Sequence, residues 1–254
     1  MNKQINIKES LDWYIWAGVT ETCAEDVCIL NTENHFSQQK IVAPTSSVST
    51  RPTATVLKNA RDICVSATSL DELREILIKF EGCNLKNTAA STVFGDGDAH
   101  AKVMLIGEAP GADEDRMGKP FVGRCGKLLD KMLEAIHLRR ENCYITNVLP
   151  WRPPGNRTPT DDEVAVCLPF LKKQIDLIKP DFILLLGGIA LKAVMDNSDS
   201  ISRTRGKWLE YVADGKTIPV LATYHPSYLL RSSAQKAKSW ADFLRLKKKM
   251  DEIK

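Results

Sequence analysis

From residue 102 onward, short apolar runs alternate with helical patterns, and each run ends in glycine or polar residues. That rhythm indicates strands and helices in turn, the pattern of an α/β domain. The runs are KVMLIG (102–107), CYITNV (143–148), DFILLLG (181–187) and IPVLATY (218–224), with helical patterns near 124–137, 161–178 and 188–195. A run such as FILLL is apolar at every position, which fits parallel strands covered on both faces. The predicted fold is a three-layer α/β/α sandwich around a central four-stranded parallel sheet. In such sheets ligands bind outside the carboxyl ends of the strands, so the polar residues just after each run carry the functional interest.

Before residue 102 the pattern changes. Ile7, Leu11, Tyr14, Ile15 and Val19 recur at near-helical spacing and predict an amphipathic helix over 7–20. Residues 32–58 are polar, contain two prolines and lack a sustained apolar period, and so read as a linker. A helix is predicted over 69–81, with Ser69 as its cap and Glu72 as the reciprocal partner. The predicted division is an N-terminal extension over 1–60 and a main domain over 61–254. The chain has no run near the roughly 18 consecutive apolar residues needed to span a bilayer, and its start lacks a signal-peptide layout. Seven scattered cysteines suit a reducing compartment, so a cytoplasmic protein is expected. A net charge of +3 is too small to indicate a nucleic-acid binder by itself. Basic residues nevertheless collect in the later segments, at Arg152, Arg157, Arg203, Arg205, Lys207 and Arg231. The terminal run RLKKKM reads as a solvated helix end.

The first strand delivers the chain into GEAPGADEDRMGKPFVG (107–123), whose four glycines let backbone approach a ligand closely. This loop has neither the Gly-Lys-Ser/Thr ending of a triphosphate site nor the G-x-G-x-x-G spacing of a dinucleotide site, which argues against a plain nucleotide-binding domain. The other strands end in TNVLPWRPPGNRTP (146–159), LLLGGIA and TYHPSYLLR (223–231).

Taken in order, GEAPG, PFVGR, ITNV, RPPGNR and HPSYLLR resemble the uracil-DNA glycosylase superfamily, most closely its family 4, over about residues 83–250. The resemblance implies a monofunctional enzyme of base excision repair that flips deoxyuridine out of DNA, hydrolyses its N-glycosidic bond and leaves an abasic site. Gly107, Glu108 and Ala109 are implied to line the pocket, Phe121 to stack on the extruded base, and Asn147 to read uracil O4 and N3–H with its amide. His225 is similar to the histidine that bonds uracil O2 as negative charge collects on the leaving base. Glu108 is the first candidate to orient the attacking water, with Glu114 and Asp113 competing, because Ala109 stands where the best-known members carry an aspartate. Tyr228, Leu229, Leu230 and Arg231 resemble a minor-groove loop, with Leu229 or Leu230 as the wedge that enters the vacated stack. Arg152, Arg157 and Arg205 are expected at phosphates. The implied partner is uracil-containing DNA, and a monomer is expected.

Family 4 enzymes hold a [4Fe–4S] cluster on four cysteines. Cys83 and Cys167 stand at two of those places, but Phe80 and Trp151 occupy the others. Cys64, Cys125 or the Cys23/Cys28 pair lie off the family spacing. The expectation is therefore no cofactor and no metal, with Cys83 and Cys167 as remnants of the cluster site and two aromatics filling its space. Two rival readings remain at this level: a glycosylase for hypoxanthine or xanthine, and a protein that binds uracil-DNA without catalysis. Asn147 favours uracil over the first. The second fits poorly because GRCGKLL follows PFV with no inserted basic loop.

Overall fold

The computed structural model describes residues 54–252 except position 214. The helix expected over 7–20 and most of the polar stretch lie outside the described residues. Six strands form one sheet: β1 (Asp96–Gly97), β2 (Val103–Gly107), β3 (Cys143–Asn147), β4 (Phe182–Leu186), β5 (Trp208–Ala213) and β6 (Lys216–Thr223), in the order β1-β3-β2-β4-β6-β5. The four predicted strands are its parallel centre, and β1 and β5 add an antiparallel edge on each side. The four-stranded expectation is thus too small by two short or half-exposed strands. β1 has two residues, and β5 alternates partly buried with exposed positions, so neither shows the continuous apolar run of the centre.

The helices are α1 (Ala54–Val65), α2 (Leu70–Lys79), α3 (Ala112–Met117), α4 (Arg124–Glu134), α5 (Asp161–Ile178), α6 (Gly188–Met195), α7 (Ile201–Thr204), α8 (Pro226–Arg231) and α9 (Lys236–Glu252). Successive strand side chains point to opposite faces, and the core divides accordingly. Met104, Ile106, Ile183 and Leu185 pack with α1, α2, α5 and α6, whereas Val103, Leu105, Leu184 and Leu186 pack with α4, α8 and α9. These are the three layers. Helix α1 begins at Ala54 and buries Ala60 and Cys64, so residues 54–58 belong to a helix rather than to the linker. Helix α2 is capped by Ser69, which accepts from Glu72 N. The reciprocal bond differs from expectation: the Glu72 carboxylate accepts from the backbone and hydroxyl of Thr68 instead.

The strand register brings the functional loops level. Gly107 pairs with Asn147, and Leu186 with Thr223, at the carboxyl edge of the sheet. Beyond β2 and β3 the pairing continues through Val148 N to Gly107 O and Leu149 N to Glu108 O, both at 3.0 Å. The two loops therefore leave the sheet together.

Candidate active site

A cleft of about 710 Å³ opens at this edge, and the ends of all four parallel strands reach it, through Glu108, Asn147, Gly187 and His225. Phe121 comes from the glycine-rich loop and forms one wall, with its ring 5.5 Å from that of His225 and tilted 35° to it. The backbone of Phe121 is left-handed (φ 53°), which costs a bulky residue about 1–3 kcal/mol and must be held by its surroundings. Two features hold it. Gly126 in α4 lies so close that a Cβ there would sit 1.7 Å from the Phe121 carbonyl oxygen. Arg140, just before β3, donates to that oxygen at 2.6 Å and to Pro120 O at 2.9 Å.

Gly107 serves the same wall. A Cβ at this position would stand 2.4 Å from Asn147 Oδ1 and 2.5 Å from the Phe121 ring, so only glycine lets amide and aromatic converge. Asn147 is buried, and its Oδ1 has no hydrogen-bond partner among the described residues. An unpaired buried acceptor costs about 1–3 kcal/mol, so the free protein bears a penalty that a ligand N–H would remove.

His225 caps α8. Pro226 supplies the first helical residue, with φ preset and no amide proton to satisfy, and the His225 ring accepts the orphaned Ser227 amide at Nδ1 (3.1 Å). The Ser227 hydroxyl lies 2.8 Å from the same nitrogen. Burial, assisted by the nearby Arg231 charge, lowers the His225 pKa to about 4. The ring is neutral at pH 7, and since Nδ1 is an acceptor its proton resides on Nε2. The cap thus selects the tautomer that offers a donor to the cleft.

The three carboxylate candidates separate. Glu114 accepts from Gly111 N (3.1 Å), Val122 N (3.0 Å) and Gly123 N (2.9 Å), so its carboxylate is largely engaged in bracing the glycine-rich loop. Asp113 is paired to Arg116 at 2.7 Å. Glu108 lines the cleft beside Ala109, its carboxylate has no partner among the described residues, and burial raises its pKa.

The expected DNA contacts are partly corrected. Leu229 is fully buried in the layer of α4 and α9, whereas Leu230 is 39% exposed, so the wedge expectation survives only for Leu230. Arg205 is not at the surface for phosphate: it pairs with buried Asp242 at 2.6 Å, donates to Lys238 O and lies over the Tyr224 ring. Asp242 also accepts from Thr223 at the end of β6 (2.8 Å), so this cluster steadies the strand that delivers His225. Arg157 lines the cleft but is bound to Glu163 by bonds of 2.6 and 2.9 Å. Arg152 donates to Asn156 at 2.7 Å. Arg231 is exposed at the cleft edge.

Cys83 and Cys167 are both buried, and their mutual influence holds the Cys83 thiol below the usual range and pushes that of Cys167 well above it. Phe80 packs against Phe170 with centroids 5.1 Å apart and rings tilted 55°, and Trp151 is fully buried with Nε1 donating to Thr92 Oγ1 at 3.0 Å. The described residues contain no group of three or more potential metal ligands. Among the described residues at this place, two thiols and two packed aromatics do not supply the four thiolates that a cluster needs at its corners. Trp151 instead anchors the loop that follows β3. Replacing it with alanine should cost about 3–5 kcal/mol and lower Tm by about 10 °C, read by thermal denaturation.

Fold and cleft together define an α/β domain built to enclose a flat polar ligand between an aromatic wall and an amide. The chain belongs to the uracil DNA glycosylase superfamily, whose family model matches residues 94–244. It is 41% identical over 182 residues to the type-4 uracil-DNA glycosylase of Archaeoglobus fulgidus, covering 70% of this chain and 92% of that protein. It is 43% identical over 167 residues to the type-4 uracil-DNA glycosylase of Thermotoga maritima, covering 64% and 85%. Similarity to the type-5 uracil-DNA glycosylase of Pyrobaculum aerophilum is lower, at 31% over 150 residues, covering 52% of this chain and 64% of that protein.

Proposed function

We propose that this protein is a monofunctional uracil-DNA glycosylase of the type-4 group, acting in base excision repair. The buried Asn147 Oδ1, which has no partner among the described residues, carries the reading. Uracil N3–H is the donor that oxygen lacks, and the amide NH₂ faces O4, whereas cytosine presents an acceptor at N3 and a donor at C4. Phe121 stacks on the base. His225 Nε2–H donates to O2 as the glycosidic bond lengthens and charge moves onto the leaving base, where a preplaced donor lowers the barrier most. Glu108 orients the water or shapes the C5 edge of the pocket. Water attacks the sugar and the product is an abasic site, a reading supported by a cleft lining that holds no lysine among the described residues.

The fitted aromatics at Phe80 and Trp151 support an enzyme without a cluster. Five described cysteines are free thiols, which supports a reducing, cytoplasmic setting, and among the described residues no helix is long and apolar enough to cross a membrane. The catalytic domain is proposed to start ahead of α1, with the residues before it as an extension, and to act as a monomer.

Leu230 is the proposed wedge, and Arg231 the proposed phosphate contact. Arg231→Ala should weaken binding to all DNA sequences alike and reduce the slope of log K against log salt by about 1, measured by fluorescence anisotropy.

Oligonucleotides carrying uracil, cytosine, thymine, hypoxanthine or xanthine at one site test the substrate. Alkali-dependent scission at uracil alone is expected. Scission at hypoxanthine or xanthine in preference to uracil would move the assignment to another base, and scission without alkali would refute a monofunctional enzyme.

A further inference from the structure

Arg140 lies outside the cleft, yet its guanidinium binds the backbone of the cleft's strained wall. We infer that Arg140 is a positioning residue for base capture, acting through Phe121; this rests on the uracil reading above. Its guanidinium is largely buried, with 18% of the side chain exposed, and it joins three parts of the fold. Nη1 donates to Asp96 in β1 (3.0 Å) and to Pro120 O (2.9 Å), while Nη2 donates to Phe121 O (2.6 Å) and to Asp130 in α4 (3.1 Å). The carbonyls of two successive residues, the second in the left-handed conformation, are thus fixed to the sheet edge and to α4 by one rigid fork. Planar, preorganised donors suit this task, and a lysine ammonium cannot reproduce the fork.

The consequence is specific. The Arg140 contacts hold the Phe121 backbone, and so the point from which its ring enters the cleft, and they touch neither Asn147 nor His225. Loss of the fork should weaken capture of the flipped base more than it weakens attachment to DNA.

Arg140→Lys keeps a positive charge between Asp96 and Asp130 and protects the fold; Arg140→Met removes it. The measurement is affinity for two duplexes, one with a non-hydrolysable 2′-fluoro-deoxyuridine and one with a tetrahydrofuran abasic site, in wild type, Arg140→Lys, Phe121→Leu and the double variant. Arg140→Lys should lose about tenfold in affinity for the uracil duplex, the size of one charge-assisted hydrogen bond, with under twofold change for the abasic duplex. In the Phe121→Leu background the Arg140→Lys effect should shrink below twofold. Equal losses on both duplexes, no loss on the uracil duplex, or a full tenfold loss that persists beside Phe121→Leu would each overturn the inference. Wild-type protein with no preference for the uracil duplex over a thymine duplex would instead overturn the uracil reading itself. Arg140→Met should show the same selectivity for the uracil duplex in whatever fraction folds, and an equal loss on both duplexes there would count against the inference as well.

Discussion

His225→Ala should lower single-turnover cleavage of uracil-containing DNA by about 10²–10³-fold, the cost of removing one preplaced donor to a developing oxyanion. Pro226 starts α8, and the ring of His225 must then satisfy the Ser227 amide, which commits Nδ1 as an acceptor and places the proton on Nε2. Burial lowers the pKa to about 4, so the neutral donor persists through the physiological range. The pH–rate profile should consequently show no inflection near 6.5 from this group. Its effect on stability has a definite sign. The unfolded chain takes up a proton near 6.5, whereas the folded protein does not until about 4, so between these values the unfolded state binds more protons. The stability that the neutral ring contributes is complete above about 6.5 and is lost as the pH falls toward 4, and His225→Ala should flatten that part of the stability curve.

Asn147→Ala should combine a large loss of activity with no loss of stability. Two hydrogen bonds to the uracil edge disappear, lowering kcat/KM by about 10²-fold or more. The folded protein, however, sheds a buried oxygen that has no partner among the described residues, which relieves about 1–3 kcal/mol and offsets the small cavity left behind. Thermal denaturation should give a Tm equal to or above that of wild type. A structural asparagine that caps a loop would behave in the opposite way, with both quantities falling together.

The central strands were legible because residues such as Ile183 to Leu186 are apolar without interruption, and only burial on both faces explains that. The helical pattern near 161–178 matches helix α5, whose start carries a reciprocal cap of Thr160 and Glu163. The segments that escaped notice lack such signals. β1 is two residues long and β5 is half-exposed. The start of α1 sits in a polar stretch and becomes helical by packing Ala60 and Cys64 into the core. In the cleft, motif order located Phe121, Asn147 and His225, but burial and pairing are properties of the folded chain. Neither the enclosure of Leu229, nor the pairing of Arg205 with Asp242, nor the engagement of Glu114 by three amides is written in local spacing. Arg140 escaped for the same reason: its partners lie between 10 and 44 residues away in the chain.

The most direct test of the account is release of free uracil from a single-uracil oligonucleotide with enzyme in excess, comparing wild type with Asn147→Ala and His225→Ala. Stoichiometric uracil from wild type, with both variants slower by at least about 10²-fold while remaining folded, is the predicted result. No uracil from wild type, or variants that release it at the wild-type rate, would contradict it.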